Sequence, residues 1–455
     1  MDKENTQNST STLESFGYKQ ELKRSLHLWQ MAIFGLVFMI PIAPFGIYGY
    51  LADASLNQVP TVYAIGMFAM IFTAFSYGSM AEAFPISGSV YAYASRGINK
   101  HVGFMTGWAI LLDYILMPTL IYVVCGVSMN AIFPSVPPLV WAIGVLVLIT
   151  GFNTLGIEAS SRLSIVALVF ELVVYVIFVV FAIIALSKGT DGTHFTVDPI
   201  YNAETFKFAM VMNGVSIAVL SFLGFDAIST LAEETRGGGK AVGKATVGAL
   251  LILGCLFVFL TWIAGCLWPD ASKFTNLDIA FSEIANRAGG RTLLNLCSFA
   301  TAFSWAFAAL TAQVAVSRVL FSMARDGNFP KFFSKVHKRF KTPYIATWFI
   351  AGLSVIMCFV FQNYINELTN LVNFGALTSF FILNATVIYY YKVKIKAKGI
   401  FKYVVFPLIG CAIIGWVWWS LARDAKIIGV IWLAAGLIYY LILTKVVRRN
   451  VEMEI

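Results

Sequence analysis

The chain has 455 residues, 59% of them hydrophobic and 12% charged, with a mean hydropathy of +0.79. A soluble protein carries about 25% charged residues, so this surface cannot be that of a cytosolic enzyme, a disordered scaffold or a disulfide-stapled secreted domain. The net charge of +9 does not point to nucleic acid, because the basic residues sit in short loops beside apolar runs, the pattern that membrane topogenesis sets.

Residues 1–27 read as a polar cytoplasmic segment with no signal-peptide pattern. Apolar runs long enough to cross a bilayer then follow one another. They predict twelve helices, at 28–50, 60–83, 102–132, 139–156, 163–186, 206–231, 246–268, 292–323, 343–362, 368–391, 403–421 and 427–444. The third and eighth exceed a core of about 30 Å at 1.5 Å per residue, so they should tilt or project into water. With the N-terminus inside, 25 of the 32 Lys and Arg fall in inside segments, which predicts both termini in the cytoplasm and a multi-pass protein of the cell membrane. The basic loop at 324–342 reads as a topology-setting loop, and the tail 445–455 is too short to fold alone.

Two of the predicted spans carry helix-breaking residues at mid-depth. Span 1 holds Pro41 and Pro44; each removes a donor and frees a carbonyl one turn earlier. A simple proline kink would account for the pair. So would an unwound segment whose carbonyls bind a solute, the arrangement of transporter sites. Span 6 reads Ser221-Phe222-Leu223-Gly224-Phe225-Asp226, joining a hydroxyl, a glycine and a carboxylate at half-depth. Broken backbone survives there only where protein or a water-filled cavity satisfies it. Spans 1 and 6 occupy corresponding positions if spans 1–5 and 6–10 are two repeats.

Three carboxylates fall inside spans: Asp113, Glu171 and Asp226. A charge at the bilayer centre costs at least about 2.5–3.5 kcal/mol, so such groups are candidates for carrying protons. Nothing local pairs with Glu171, although a structural pairing with Arg318 or a helix dipole is the competing reading. Glu233, Glu234 and Arg236 at the inside end of span 6, with Arg318 and then Arg325 and Asp326 at that of span 8, read as a cytoplasmic gate or as solvated charge. Phe45, Phe222 and Phe225 sit beside the breaks where a ring can cap a small solute, and Tyr114 and Trp305 are candidate pocket walls. The six cysteines lie in apolar runs without CxxC spacing and the four histidines are scattered, so neither a metal site nor a cofactor is expected. With no nucleophile–base pair or phosphate loop either, the chain is not expected to be an enzyme.

Several separated motifs carry a family resemblance over nearly the whole chain. Ser25-Leu26-His27-Leu28-Trp29-Gln30 leads into span 1; Phe84-Pro85-Ile86-Ser87-Gly88-Ser89 follows span 2; His101-Val102-Gly103-Phe104 and Gly107-Trp108 open span 3. Ser221 to Asp226 with Glu233-Glu234 marks span 6, and Ser317-Arg318-Val319-Leu320 with Ala324-Arg325-Asp326-Gly327 closes span 8. The chain resembles the amino acid–polyamine–organocation (APC) superfamily, and within it the bacterial putrescine importers, notably at Leu112-Asp113-Tyr114 and Asn373-Phe374-Gly375-Ala376-Leu377.

The resemblance implies an all-α integral membrane protein with the LeuT-type 5+5 inverted repeat: a ten-helix core over 28–391, helices 11 and 12 over 392–444, and broken helices 1 and 6. It also implies proton-coupled import of an amino acid or biogenic amine by alternating access. The substrate site then maps to Ile40, Pro41, Ile42, Ala43, Phe45, Tyr114, Ser221, Phe222, Leu223, Phe225, Asp226, Ser304 and Trp305. Proton coupling falls to Glu171, Asp226 and Asp113, and the gate to Glu233, Glu234, Arg236 and Arg318. Sodium is disfavoured because the 303–309 stretch offers one hydroxyl, Ser304, where a sodium site needs two.

Some positions depart from the family pattern. Amino acid members carry Gly-x-Gly at the span 1 break, whose amides take the substrate carboxylate, where this chain has Pro41 and Ala43. Putrescine importers carry an acid a few residues later, a partner for a diamine's ammonium, where this chain has Gly46, and many proton-coupled members carry a lysine where Glu171 stands. The usual Asn-Pro after the Glu-Glu pair is replaced by Gly237-Gly238-Gly239-Lys240, read as a looser inside loop. An exchanger and a non-transporting sensor on the same fold stay open as alternatives, as does a monomer or a homodimer. The partners expected are the small solute and the lipids.

Overall fold

The computed structural model describes residues 21–133 and 135–446, so most of the expected segments 1–27 and 445–455 lie outside the described residues. The regular structure there is helical: α1 Leu28–Met39, α2 Pro44–Ser55, α3 Val59–Ala83, α4 Ser89–Gly97, α5 Lys100–Ile132, α6 Pro138–Thr154, α7 Ile157–Lys188 and α8 Phe208–Phe222. A 3-10 helix, Asp226–Glu234, precedes α9 Gly238–Leu267, α10 Ala280–Arg325, α11 Tyr344–Phe361, α12 Ile365–Ile388, α13 Phe406–Ser420 and α14 Arg423–Leu441. Helices satisfy every backbone group within one segment, which is what a lipid environment demands. Among the described residues ten helices are long and apolar enough to cross a membrane, the bent pair α1–α2 makes an eleventh, and α6 is apolar but has 17 residues.

Burial separates an inner bundle from an outer layer. The apolar window of α5 is 83% buried, whereas those of α13 and α14 are 22% buried and that of α11 33%. α5 is the most enclosed helix, α9 buries one face and leaves Ile252 and Phe259 exposed on the other, and α11, α13 and α14 turn most of their surface outward, where Trp416, Trp419 and Ile431 stand exposed.

α3 and α9 pack most extensively on each other, and small residues set their distance. A Cβ added to Gly243 would lie 2.8 Å from the Gly78 Cα, so the two backbones touch, as small-residue helix seams in membranes allow. Gly243→Val is expected to destabilise the protein by about 1–3 kcal/mol by forcing the pair apart, measured as a lower thermal unfolding midpoint. Gly248→Val on the same helix, where an added carbon meets nothing within 4 Å, should leave that midpoint in place.

Several boundaries differ from the expected spans. The first span ends at Met39 and resumes at Pro44, bent by 55°. The stretch after the Phe84–Ser89 motif is itself a helix, α4, entered through Gly88 at φ 123°. α10 kinks at Gly289 and Gly290 (φ 69°), so the part after the kink matches the expected eighth span and a short helical arm precedes it. The Gly237–Lys240 stretch is not a loose loop. α9 begins at Gly238, and a Cβ at Gly239 would stand 1.9 Å from the Ala81 carbonyl, so this turn is pressed onto the end of α3.

Candidate functional site

The two breaks meet in space. α1 ends at Ile40, a β-branched residue at φ 54° and ψ 101°, a conformation that costs of order 1–3 kcal/mol and persists only when its surroundings enforce it. Pro41 supplies no amide, and Pro44 starts α2 at a position where a missing donor is tolerated. On the other side α8 ends at Phe222, Leu223 is extended, and Gly224 takes φ 122°. That position needs glycine twice over: the conformation excludes other residues, and a Cβ would strike the Phe38 ring at 2.8 Å. Phe38 of the first break is therefore seated on Gly224 of the second.

Between the breaks lies a narrow cavity of about 20 Å³. Phe38, Met39 and Ile40 come from the end of α1, Ala43 and Ile47 from the start of α2, Met117 and Ile121 from α5, Leu220 and Ser221 from the end of α8, and Trp305 from α10. A water needs roughly 10–15 Å³ by this measure, so a solute of several heavy atoms fits only after the walls move apart. The lining is apolar except for Ser221, whose hydroxyl pairs with Tyr63 at 3.0 Å, and the indole N–H of Trp305.

Of the substrate residues expected from the sequence, Ile40, Ala43, Ser221 and Trp305 line this cavity; Pro41, Ile42, Phe45, Tyr114, Phe222, Leu223, Phe225, Asp226 and Ser304 do not. The aromatic residues beside the breaks have other partners. Phe45 stacks on Phe281 with centroids 4.0 Å apart, Phe222 packs on Tyr63 and Phe257, and Phe225 on Tyr77 and Phe380. Phe38, Met39, Ile47, Met117, Ile121 and Leu220 were not singled out by sequence; Phe38 and Met39 carried a signal, as the turn immediately before a double-proline break.

Asp226 is wrapped rather than open. It receives the Tyr114 hydroxyl and, at 3.2 Å, the Gly224 amide, and the amides of Asp226 and Ala227 bear on the same carboxylate. Asp113 is buried and interacts electrostatically with it. Glu171 is completely buried on α7, which packs against α1. Neither of its oxygens has a hydrogen-bond partner among the described residues, and the Ser304 hydroxyl, the polar group that bears on it, is also unbonded. Arg318 is paired with Glu234, so it is not the partner of Glu171.

Toward one end of the bundle two ion pairs tie the broken span to α10. The Arg318 guanidinium forks onto Glu234, Nε to Oε1 and Nη2 to Oε2 at 3.0 Å, with Nη1 on the Val314 carbonyl at 3.1 Å. Arg325 forks onto Glu233 at 2.7 and 3.1 Å, and the Ser87 amide donates to the same carboxylate at 3.0 Å. Arg236, expected in this cluster, contributes only its amide, which donates to the Leu26 carbonyl at 2.9 Å, and its side chain is exposed. The Ser25 and Leu26 amides donate to the Glu234 carbonyl, both at 3.0 Å. The motif after α3 is thereby explained: it reaches across to Glu233 and, through Ser322 to the Ser87 carbonyl at 2.9 Å, to α10.

An open depression at the opposite end is lined by Asp191, Trp268, Asp270, Lys273, Glu283 and Arg287. The Ser272 hydroxyl and amide donate to Asp270 at 2.6 and 3.1 Å and, with Lys273, hold its carboxyl below the usual value. No group of three or more His, Cys, Asp and Glu among the described residues is arranged to hold a metal.

Residues 28–447, all the helices described above, match the amino acid permease family. The chain belongs to this family. It is 30% identical over 437 residues to the low-affinity putrescine importer PlaP of Escherichia coli (strain K12), covering 95% of this chain and 96% of that protein. It is 26% identical to the branched-chain amino acid permease BcaP of Bacillus subtilis (strain 168), with 94% of each chain covered. It is 24% identical to the methylthioribose transporter of the same strain, covering 94% of this chain and 95% of that one. The superfamily resemblance read from the motifs is borne out, and the chain is a multi-pass membrane protein of a permease family rather than an enzyme.

Proposed function

We propose that this permease is a proton-coupled importer that accumulates a small amine-bearing solute, an amino acid or a biogenic amine, by alternating access. On this reading the chain has the twelve spans and the 5+5 inverted repeat expected from the sequence, with α1–α2 and α8 with its 3-10 continuation as the broken pair and α6 as a full span. It sits in a bacterial inner membrane with both termini in the cytoplasm, so the Glu233 and Glu234 end faces inward. The solute lodges between the breaks, and a proton taken up by Glu171 from outside is released inside. The named activities of PlaP and BcaP, putrescine import and branched-chain amino acid permeation, fall within this substrate range.

The observation that carries the reading is Glu171: a fully buried carboxylate whose oxygens have no ion-pair or hydrogen-bond partner among the described residues, with the Ser304 hydroxyl the polar group that bears on it, on the helix that packs against the broken one. An unpaired ionisable group inside a membrane bundle is costly to keep and marks an ion or proton path. The test is uptake of radiolabelled putrescine and leucine by the purified protein in liposomes, with the outside acidic. Accumulation above the external concentration that a protonophore collapses is the expected result. Uptake that needs internal substrate and ignores the pH gradient would make the protein an exchanger, and binding without uptake a sensor.

A further inference from the structure

The hydrogen-bonding groups at the two breaks are sorted by kind. On the donor side almost everything is used or missing. Pro41 and Pro44 have no N–H. The amides of Ile40, Ala43, Phe45 and Gly46 close local turns onto the carbonyls of Val37, Ile40, Ile42 and Ala43, at 3.3, 2.8, 2.9 and 3.1 Å. At the second break Leu223 donates to Leu220 at 3.2 Å, and the Asp226 carboxylate takes the Gly224 amide. The amides left over, those of Ile42 and Phe225, belong to residues outside the cavity lining.

On the acceptor side the opposite holds. The carbonyls of Phe38, Met39, Ser221 and Phe222 accept no hydrogen bond among the described residues, and Phe38, Met39 and Ser221 line the cavity. No Lys, Arg or His lines it.

We infer that the solute is a short alkyl amine or diamine that carries no carboxylate. The inference rests on the transport reading above and narrows it. An ammonium finds the free carbonyls of both broken helices. Its alkyl chain lies on the apolar wall of Ile47, Met117, Ile121 and Leu220. A carboxylate finds two neutral donors, the Trp305 indole and the Ser221 hydroxyl that is already paired with Tyr63, for two oxygens and a full charge. Burying that charge unpaired, against outward-facing carbonyls, opposes binding.

Three decarboxylation pairs test this: putrescine against ornithine, cadaverine against lysine, and isoamylamine against leucine. Each pair keeps the same chain and ammonium groups and differs by the carboxylate. Isothermal titration of the purified full chain should show the amine binding about 10- to 100-fold tighter in each pair. Equal or tighter binding of the amino acids overturns the inference, and so does preferential binding of methylthioribose or a failure of all three amines to bind. Uptake into liposomes, measured in parallel, separates the two claims. An amino acid that binds better and accumulates under the pH gradient removes this inference and leaves the importer. Amines that bind better but never accumulate remove the importer and leave the site.

Discussion

Glu171→Gln is expected to abolish proton-driven accumulation while leaving solute exchange intact. One proton carried per solute, across one pH unit, supports an accumulation of about tenfold, since one pH unit is about 1.4 kcal/mol. The variant should bring that ratio down to about one. Glutamine keeps the shape of the side chain and loses the one property the proposal needs, a proton that comes and goes. The substitution is well placed to separate coupling from folding, because no hydrogen bond to Glu171 is lost: its oxygens have no such partner among the described residues. Exchange of labelled for unlabelled solute requires the cavity to open alternately but no net proton movement, so its rate reports whether the variant still cycles. A Glu171→Gln protein that accumulates solute with the pH dependence of the parent would retire Glu171 as the coupling group.

What the sequence disclosed follows from which forces are local. Pro41 and Pro44 act on their own turn, so a break in the first span was readable, and the glycine at 224 with its flanking hydroxyl and carboxylate marked the second. The cavity wall from α5 was not readable. Met117 and Ile121 lie on one face of a long apolar helix, and nothing in their identity separates them from residues that face lipid or another helix. The same blindness to direction placed Phe45, Phe222 and Phe225 at the solute, when each turns to other aromatic partners. Asp226 was legible as a buried carboxylate, but that its own break would enclose it depends on Tyr114, 112 positions away. The ion pairs were legible as a cluster, since Glu233, Glu234, Arg318 and Arg325 were read together, but not as pairs. Arg236 is two residues from Glu234 yet points to solvent, and the partners, Arg318 and Arg325, are 84 and 92 residues distant.

That contrast sets a second large effect. Arg318→Met is expected to destabilise the protein by about 3–5 kcal/mol, because Arg318 and Glu234 are 2% and 1% exposed and removing one partner leaves a buried charge uncompensated. Arg236→Met, on an exposed side chain, should stay within about 0.5 kcal/mol. Thermal inactivation of exchange activity measures both. The double variant Glu234→Leu with Arg318→Met should recover most of the loss, since a buried pair replaced by apolar residues of similar volume is often neutral or better. Recovery would show that the single variant fails through the stranded carboxylate rather than through lost packing of a large side chain. Arg318→Lys should recover little: the guanidinium donates to both oxygens of Glu234 and to the Val314 carbonyl at once, and an ammonium has neither the fork nor the reach to replace all three. If Arg318→Met and Arg236→Met prove equally mild, the pair does not hold this end of the bundle closed, and the gate must be sought in the Glu233–Arg325–Ser87 contacts instead.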